Sequence, residues 1–218
     1  MTQVRGGLFI TLEGPEGSGK TTQAPLLAAW LQAQGHIVVR TREPGGTPVG
    51  ERIRALLHDP AHAELRPRAE VLLYAASRAQ LVDEVIRPAL RAGKLVLCDR
   101  YFDSTYAYQG YGRSLSLEAL REITRFATGG VMPDVTLYLD IDPAVGLQRR
   151  VAAGEEMNRL DREALAFHRR VREGYQALIA AEPERWVVID ARGSIEAVQA
   201  RLRAALAERC PACVGALD

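Results

Sequence analysis

The sequence predicts an α/β fold of the doubly wound type, in which a five-stranded parallel sheet is flanked by helices. Two observations predict it. Short apolar runs alternate with longer amphipathic ones, in the order strand then helix. The short runs are rich in Val, Ile and Leu without strict alternation, as is typical of parallel strands buried on both faces. Such a repeat gives right-handed crossovers, so ligands should bind beyond the carboxyl ends of the strands.

Five segments are predicted as strands, and helical patterns lie between them. The strands are residues 8–13, 36–41, 94–99, 135–142 and 185–190. Two of the helical patterns, 21–35 and 117–130, end in glycine, which supplies the left-handed cap. Because no repeat or linker interrupts the order, we predict one domain over residues 1–218. The polar stretch 149–162 is predicted as a mobile loop, and the tail at about 209–218 as flexible, because its CPAC lacks the second half of a zinc site.

Composition argues against several classes of protein. The chain has 218 residues and a net charge of +1, which gives no electrostatic case for binding nucleic acid or an anionic membrane. No apolar run has the length of a membrane span, the first residues lack the apolar core of a signal peptide, and three cysteines are too few for a disulfide framework. We therefore expect a cytoplasmic location, with ligands bound at local sites.

A glycine-rich segment follows the first predicted strand and opens a helix. It fits the phosphate-loop pattern GxxxxGK followed by Thr, and its members are Gly14, Pro15, Glu16, Gly17, Ser18, Gly19, Lys20 and Thr21. Glycines let backbone N–H groups turn toward a β-phosphate, Lys20 neutralises phosphate oxygens, and the Thr21 hydroxyl ligates Mg²⁺. The segment predicts a nucleotide site and leaves its chemistry open.

Asp99 ends the third predicted strand, where a phosphate-loop protein carries a carboxylate near Mg²⁺, and Arg100 follows it. Two other classes with such a loop are disfavoured. A guanine-binding switch protein needs NKxD after a strand, whereas residues 158–161 have Arg in place of Lys and lie in the polar loop. A DNA-dependent ATPase needs a basic groove with aromatics, and this chain is charge-balanced.

Motifs spread over residues 8–205 resemble a known family. In chain order they are LEGPEGSGKTTQ at the phosphate loop, TREPGGTP at 41–48, YAASRAQ at 74–80, DRYFDSTYAYQGYGR at 99–113 and FHRRVREGY at 167–175. Together they resemble the bacterial thymidylate kinases, which are P-loop nucleoside monophosphate kinases. The resemblance implies ATP-dependent phosphorylation of dTMP to dTDP with Mg²⁺, in a homodimer.

The resemblance also implies an acceptor site. Glu13 and Glu43 would lie by the acceptor sugar and Mg²⁺, while Arg42 and Arg100 would hold the acceptor phosphate, a task suited to guanidinium groups. The implied metal site is then Thr21, Asp99 and Glu43. Pro44, from the same motif as Glu43, is a further implied acceptor contact.

For the acceptor base, the resemblance implies that Tyr74 stacks on thymine. Arg78, on the same helix face at i,i+4 spacing, would donate to the thymine O4 atom. Tyr108 would close the 2′ side of the sugar. Ser104 and Thr105 match the family's base-contacting segment, and the resemblance implies that Thr105 bonds the N3 edge of thymine with Gln109 nearby.

Catalysis requires a cation at the migrating phosphoryl group, where one arginine can be worth ~10³ to 10⁵ in rate. One class of the family carries this arginine in the phosphate loop, and Glu16 implies the other class, with arginines on a lid, here residues 149–162. Arg150 or Arg159 would reach the phosphates, with Arg159 chosen as the catalytic arginine, and Arg149 would lie against adenine. The implied catalytic set is Lys20, Arg100, Arg150 and Arg159. Further implied ATP contacts are Thr22 and Arg192.

Two alternatives stay open at this stage. The chain could phosphorylate another nucleotide or nucleoside, such as dUMP or dCMP, although a donor at Arg78 disfavours the amino group of cytosine. It could also be a P-loop module that binds ATP without a small acceptor. The apolar stretch 71–76 could contribute to the homodimer interface, and core packing explains it equally well.

Overall fold

The strands follow the predicted pattern closely. The computed structural model describes residues 6–154 and 156–211, and in this part of the chain five parallel strands form one sheet. They are β1 (Phe9–Glu13), β2 (Val38–Arg42), β3 (Leu95–Asp99), β4 (Val135–Asp140) and β5 (Trp186–Asp190). Their spatial order is β2-β3-β1-β4-β5. The predicted fold class is confirmed.

Helices fill the connections between the strands. They are α1 (Lys20–Ala33), α2 (Pro48–His58), α3 (Pro67–Leu81), α4 (Arg87–Arg91), α5 (Phe102–Thr105), α6 (Leu117–Thr128), α7 (Pro143–Ala152), α8 (Leu165–Ala181) and α9 (Ile195–Arg209). A 3₁₀ turn covers Pro60–His62, and π-helical turns cover Val82–Ile86 and Tyr106–Gly112. Gly129, with φ +53°, caps the end of α6 in the left-handed conformation, as predicted.

Both faces of the sheet are buried, which explains why its strands lack strict alternation. Ile10 and Leu12 of β1 pack into a core layer with α1 and α9. Phe9, pointing the other way, packs into a second layer with α3, α6, α8 and the turn Tyr106–Gly112. Removing this much apolar surface from water stabilises the sheet by roughly 25 cal/mol per Å², and it leaves the carboxyl ends of the strands as the open edge.

The strand order brings three polar strand ends together. β1 lies between β3 and β4, and β3 lies between β1 and β2, all in parallel register. Arg42 pairs with Asp99 in the β2–β3 register, and Leu12 pairs with Asp99 in the β1–β3 register. The segments that follow β1, β2 and β3 therefore meet over one crevice, where the topology predicts a ligand.

The stretch predicted as a mobile loop is partly helical. Arg149 and Arg150 stand on the last turn of α7, and the irregular part begins at Ala153. Glu155 lies outside the described residues, as do residues 212–218, which include most of the predicted tail. Over the described ranges, none of the helices combines the length and apolar character needed to cross a membrane.

Candidate active site

The loop between β1 and α1 has a backbone shape that requires glycine. Gly17 has φ +68°, and a Cβ atom there would overlap the carbonyl oxygen of Gly146 on α7. Gly19, with φ +94°, is the left-handed residue directly before α1. These conformations let the loop pack against α7 while the N-terminus of α1 lines the crevice, where its N–H groups favour an anion.

Lys20 is folded back onto this loop. Its Nζ atom donates to the carbonyl oxygens of Gly14 and Pro15, both at 2.9 Å, and to Ser18 Oγ at 3.1 Å. Burial lowers the pKa of Lys20 to about 8, and the positive charge of Arg100 acts in the same direction. The ammonium group is thus bonded to neutral loop oxygens, for which phosphate oxygens are stronger substitutes.

Glu16 is the centre of a charge cluster beside the loop. Its Oε1 atom accepts from Arg100 at 2.8 Å and from the Tyr108 hydroxyl at 3.0 Å, and its Oε2 atom accepts from Arg150 at 3.2 Å. Burial opposes its ionisation, but the charges of Arg100, Lys20 and Arg150 lower the pKa of Glu16 to about 2. One carboxylate therefore holds two arginines, one from the end of β3 and one from α7.

Arg100 is fixed by its backbone as well as by its contacts. It has φ +69°, a left-handed conformation that is uncommon outside glycine and clusters at functional sites. Its guanidinium also donates to the Gly14 carbonyl at 3.0 Å and to Ser104 Oγ at 3.2 Å. The strained backbone directs this cation from β3 toward the phosphate loop.

Thr21 and Asp99 bring two hard oxygens together below the loop. Thr21 Oγ1 donates to Asp99 Oδ2 at 3.4 Å. Glu43 is joined to the same strand end, because its backbone N–H donates to the Asp99 carbonyl at 3.0 Å. Within the described part of the chain, its buried Oε1 atom lacks a hydrogen-bond partner. Hydroxyl and carboxylate oxygens are ligands that Mg²⁺ prefers, with phosphates and water completing its shell. Thr21 and Asp99 suit this ion, whereas the Glu43 carboxylate is held by Arg78.

Arg78 anchors the opposite end of the crevice. It is only 2% exposed, and it donates to Glu43 Oε2 at 2.8 Å and to Thr105 Oγ1 at 2.9 Å. Burial raises the pKa of Glu43 to about 7 against the opposing charge of Arg78. Tyr74 stands one turn earlier on α3, and both side chains line the same cavity, on one helix face as the spacing predicts.

Glu13 lies behind the crevice. Its Oε1 atom accepts from the Tyr101 backbone N–H at 2.8 Å, and its Oε2 atom accepts from the hydroxyls of Ser104 and Tyr175, both at 2.7 Å. Burial, helped by the charge of Asp103, raises the pKa of Glu13. In this structure Glu13 therefore orients Ser104, which lines the cavity, and does not itself face the space.

A single cavity of about 750 Å³ joins the phosphate loop to the Arg78 end. This volume lies within the range of sites for small ligands. Most of the residues predicted from the sequence line it, namely Glu16, Gly17, Ser18, Gly19, Lys20, Thr21, Thr22, Arg42, Glu43, Pro44, Tyr74, Arg78, Asp99, Arg100, Ser104, Thr105, Tyr108, Gln109, Arg149 and Arg150. The residues predicted for the donor and for the acceptor thus share one crevice.

The remaining predicted residues do not line this cavity, considering residues 6–154 and 156–211. Gly14, Pro15 and Glu13 lie beneath its wall. Arg192 is largely exposed and pairs with Asp190 at 2.9 Å, so its neighbours in the chain, and not its own guanidinium, form the wall near β5. These predictions of ATP and sugar contacts gain no support from the geometry.

Arg159 is the fifth predicted residue that lies away from the cavity wall. It is only 9% exposed. Its Nε atom donates to the Leu57 carbonyl at 3.1 Å, and its guanidinium is paired with buried Glu70. Of the two predicted lid cations, Arg150 faces the cavity and Arg159 is held away from it by these partners.

The wall also contains residues outside the predicted set, among them the basic side chains Arg54 and His58. They stand at i,i+4 spacing on α2, directly after the REPGG segment, and Arg54 donates to the Pro44 carbonyl at 3.0 Å. Burial and the charge of Arg54 lower the pKa of His58 to about 4, so its imidazole is neutral at pH 7. Their shared helix face next to a predicted motif was the available signal.

A parallel sheet with a phosphate loop after its first strand, and an arginine and an aromatic ring at the other end of the same crevice, defines a P-loop nucleotide kinase. A sequence profile described as thymidylate kinase matches residues 12–202. The chain belongs to the thymidylate kinase family.

Individual relatives are similar over nearly the full length. A thymidylate kinase of Deinococcus radiodurans is 57% identical over 203 residues, which are 93% of this chain and 98% of that protein. A thymidylate kinase of Roseiflexus sp. is 55% identical, covering 90% of this chain and 92% of the relative. The crystal structure of thymidylate kinase from Ehrlichia chaffeensis superposes with a TM-score of 0.75 at 33% identity, over 92% of this chain and 98% of that one.

Proposed function

We propose that this protein transfers the γ-phosphate of ATP to dTMP, giving ADP and dTDP. The observation that carries the proposal is the single cavity with a phosphate loop at one end and Arg78 with Tyr74 at the other. Two full-length relatives named thymidylate kinase, 57% and 55% identical, support dTMP as the acceptor.

In the proposed reaction, an oxygen of the acceptor phosphate attacks the γ-phosphorus of ATP as the bond to the β-phosphate oxygen breaks. Lys20 and the N–H groups at the start of α1 bind the β- and γ-phosphates, and Arg42 and Arg100 hold the acceptor phosphate in line. Arg150 compensates the negative charge that spreads over the migrating group. Thr21 and Asp99, with Glu43 as the third predicted ligand, would hold Mg²⁺, and the ion would supply positive charge at the phosphate oxygens.

At the acceptor end, Tyr74 stacks on the base and Arg78 donates to the O4 atom of thymine. Arg78 suits this task because Glu43 and Thr105 fix its guanidinium in a buried position. A donor at this place meets the amino group of cytosine unfavourably, so dCMP is a poor acceptor. Tyr108 packs at the 2′ side of the sugar and favours deoxyribose.

An assay of ADP release tests the proposal. ATP and Mg²⁺ are supplied with dTMP, dUMP, dCMP or AMP, or without an acceptor, and the Lys20→Met variant serves as control. We expect dTMP to stimulate ADP release most, dCMP and AMP to do little, and Lys20→Met to lose ~10³-fold or more in kcat. Release that is equal with and without every acceptor would instead indicate a module that only binds ATP, and a preference for dUMP would name a different kinase.

We also propose that the protein acts as a cytoplasmic homodimer. In the stretch 71–76, Val71 is buried in the core, whereas Leu72 is 59% exposed; on α6, which packs beside α3, Phe126 is 90% exposed. An apolar surface of this kind suits contact with a second copy. Sedimentation equilibrium at micromolar protein should give twice the chain mass, and cell fractionation should recover the activity in the soluble extract. A monomer mass would overturn the dimer.

A further inference from the structure

A fully buried carboxylate, Glu70, lies behind the acceptor pocket. It stands in the first turn of α3 and is 0% exposed. Its Oε1 atom accepts from Gln109 Nε2 at 2.8 Å and from Arg113 Nε at 2.9 Å, while Oε2 accepts from Arg113 at 3.2 Å and pairs with Arg159. Burial opposes the charge of Glu70, but these bonds outweigh it and hold its pKa below the usual range.

Glu70 decides which way the Gln109 amide points. An ionised carboxylate can only accept hydrogen bonds, so it must face the amide NH₂ group and cannot face the amide oxygen. The opposite orientation would put two acceptors together in a buried place, at a cost of roughly 1 to 3 kcal/mol. Since Gln109 lines the cavity and turns its Nε2 atom to Glu70, its Oε1 atom points away from that carboxylate and can accept a hydrogen bond from a ligand.

A hydrogen-bond acceptor held in this pocket discriminates between nucleotide substrates by the N3 edge of their bases. The N3 atom of a 4-oxo pyrimidine carries a hydrogen and donates, whereas the N3 atom of a 4-amino pyrimidine has a lone pair and accepts. Two facing acceptors repel, and a site built around a substrate N–H rejects an analogue that lacks it. The preference for a 4-oxo pyrimidine therefore depends on Glu70, the partner of Gln109, as well as on Arg78.

We propose that Glu70 is a positioning residue for acceptor specificity: it locks Gln109 with its amide oxygen toward the base, so that the pocket requires an N–H donor at N3. The proposal rests on the proposed dTMP kinase function and concerns the same site. It gives Glu70 no contact with substrate, because its effect on the choice of base passes through Gln109.

The test is the Glu70→Gln variant, which keeps the shape and one acceptor oxygen but adds an NH₂ group. Gln109 can then meet its neighbour in either orientation. We expect the ratio of kcat/KM for dTMP to kcat/KM for dCMP to fall ~10- to 100-fold, mainly through a higher KM for dTMP and a lower one for dCMP. A purely structural role would lower both values together and leave the ratio unchanged.

Glu163→Gln is the matched control. Glu163 pairs with the Arg113 Nη2 atom at 2.8 Å, the same atom that donates to Glu70 Oε2, so this variant weakens the same ion network without touching the Gln109 amide. It should keep the wild-type ratio. Thermal unfolding of both variants measures the structural loss separately.

A double-mutant cycle with Gln109→Ala completes the test and does not depend on how well Glu70→Gln folds. Gln109→Ala alone should lower the dTMP to dCMP ratio, and adding Glu70→Gln should lower it no further. An unchanged ratio in Gln109→Ala, or a full additional loss in the double variant, would overturn the proposal. Wild-type protein that phosphorylates no pyrimidine nucleotide would instead reject the dTMP kinase function itself.

Discussion

The two ends of the cavity use their charges differently. At the acceptor end, Arg78 is bonded to Glu43 and Thr105, which come from separate elements and bury it to 2% exposure. At the phosphate end, the cations are bonded to groups that phosphates can replace: Lys20 to loop carbonyls, and Arg100 with Arg150 to Glu16. The acceptor end is thus assembled in advance, whereas the phosphate end must exchange partners when substrate binds.

This difference separates specificity from rate. A buried ion pair costs roughly 3 to 5 kcal/mol to break by removing one partner, so the Arg78 contacts persist and define the base that fits. The Glu16 cluster keeps two arginines satisfied until more strongly charged phosphates compete for them. Variants at the phosphate end should therefore act mainly on kcat, and variants at the acceptor end on the choice of substrate.

The largest effect is expected at the lid. Arg150 faces the cavity, so Arg150→Ala should lower kcat by ~10²- to 10³-fold with a much smaller change in KM. Arg159→Ala should change kcat less than ~10-fold, because Glu70 and Leu57 hold that side chain away from the cavity. Steady-state kinetics with ATP and dTMP measures both.

The Arg159→Ala variant should instead lose stability, since Glu70 keeps only its Arg113 and Gln109 partners. A loss of roughly 1 to 3 kcal/mol, read from urea unfolding, is expected. If Arg159→Ala lowers kcat as much as Arg150→Ala, the lid rearranges when substrate binds. Arg159 would then belong with the phosphate-end cations that exchange partners.

A smaller effect should separate the ring of Tyr108 from its hydroxyl. Tyr108→Ala should lower the preference for dTMP over the ribonucleotide by ~10²-fold, because the ring fills space next to the sugar. Tyr108→Phe should keep this preference. It should also lower kcat by roughly 10-fold, since the hydroxyl bonds to Glu16 at 3.0 Å and to Arg100 at 3.1 Å are lost. Unchanged selectivity in Tyr108→Ala would remove Tyr108 from the acceptor site.

The sequence predicts the sheet and the phosphate loop well because both depend on local patterns. β3 and β5 each begin one residue after the predicted run and end with it, and Gly17 and Gly19 have the backbone that the motif demands. The lid could not be predicted as well. Whether Arg159 reaches a phosphate depends on Glu70, 89 residues away in the chain, and no spacing rule contains that pairing.

Arg54 and His58, two lining residues that were not predicted, show the same dependence on tertiary packing. Each is an ordinary residue on an amphipathic helix until β2 and α2 bring it to the wall of the cavity. Their helix spacing was readable, but their role depends on which face of α2 turns inward. That orientation is decided by packing against α3, which is a property of the folded chain.

The smallest effect concerns His58 and the pH dependence of stability. Burial and the charge of Arg54 lower its pKa to about 4, from a value near 6.5 in the unfolded chain. The unfolded state therefore binds this proton first as the pH falls, and the folded state loses stability between pH 6.5 and 4. Because the imidazole is partly exposed, we expect a loss of about 1 to 2 kcal/mol, or a few degrees in Tm.

His58→Leu should remove this contribution, so the difference in Tm between wild type and variant should change with pH across that window and be constant above it. The imidazole is costly to protonate because it is largely buried on α2 beside the positive charge of Arg54. Equal pH profiles for wild type and His58→Leu would mean that α2 does not hold this environment before substrate binds, and that the α2 wall, like the phosphate end, is completed by its ligand.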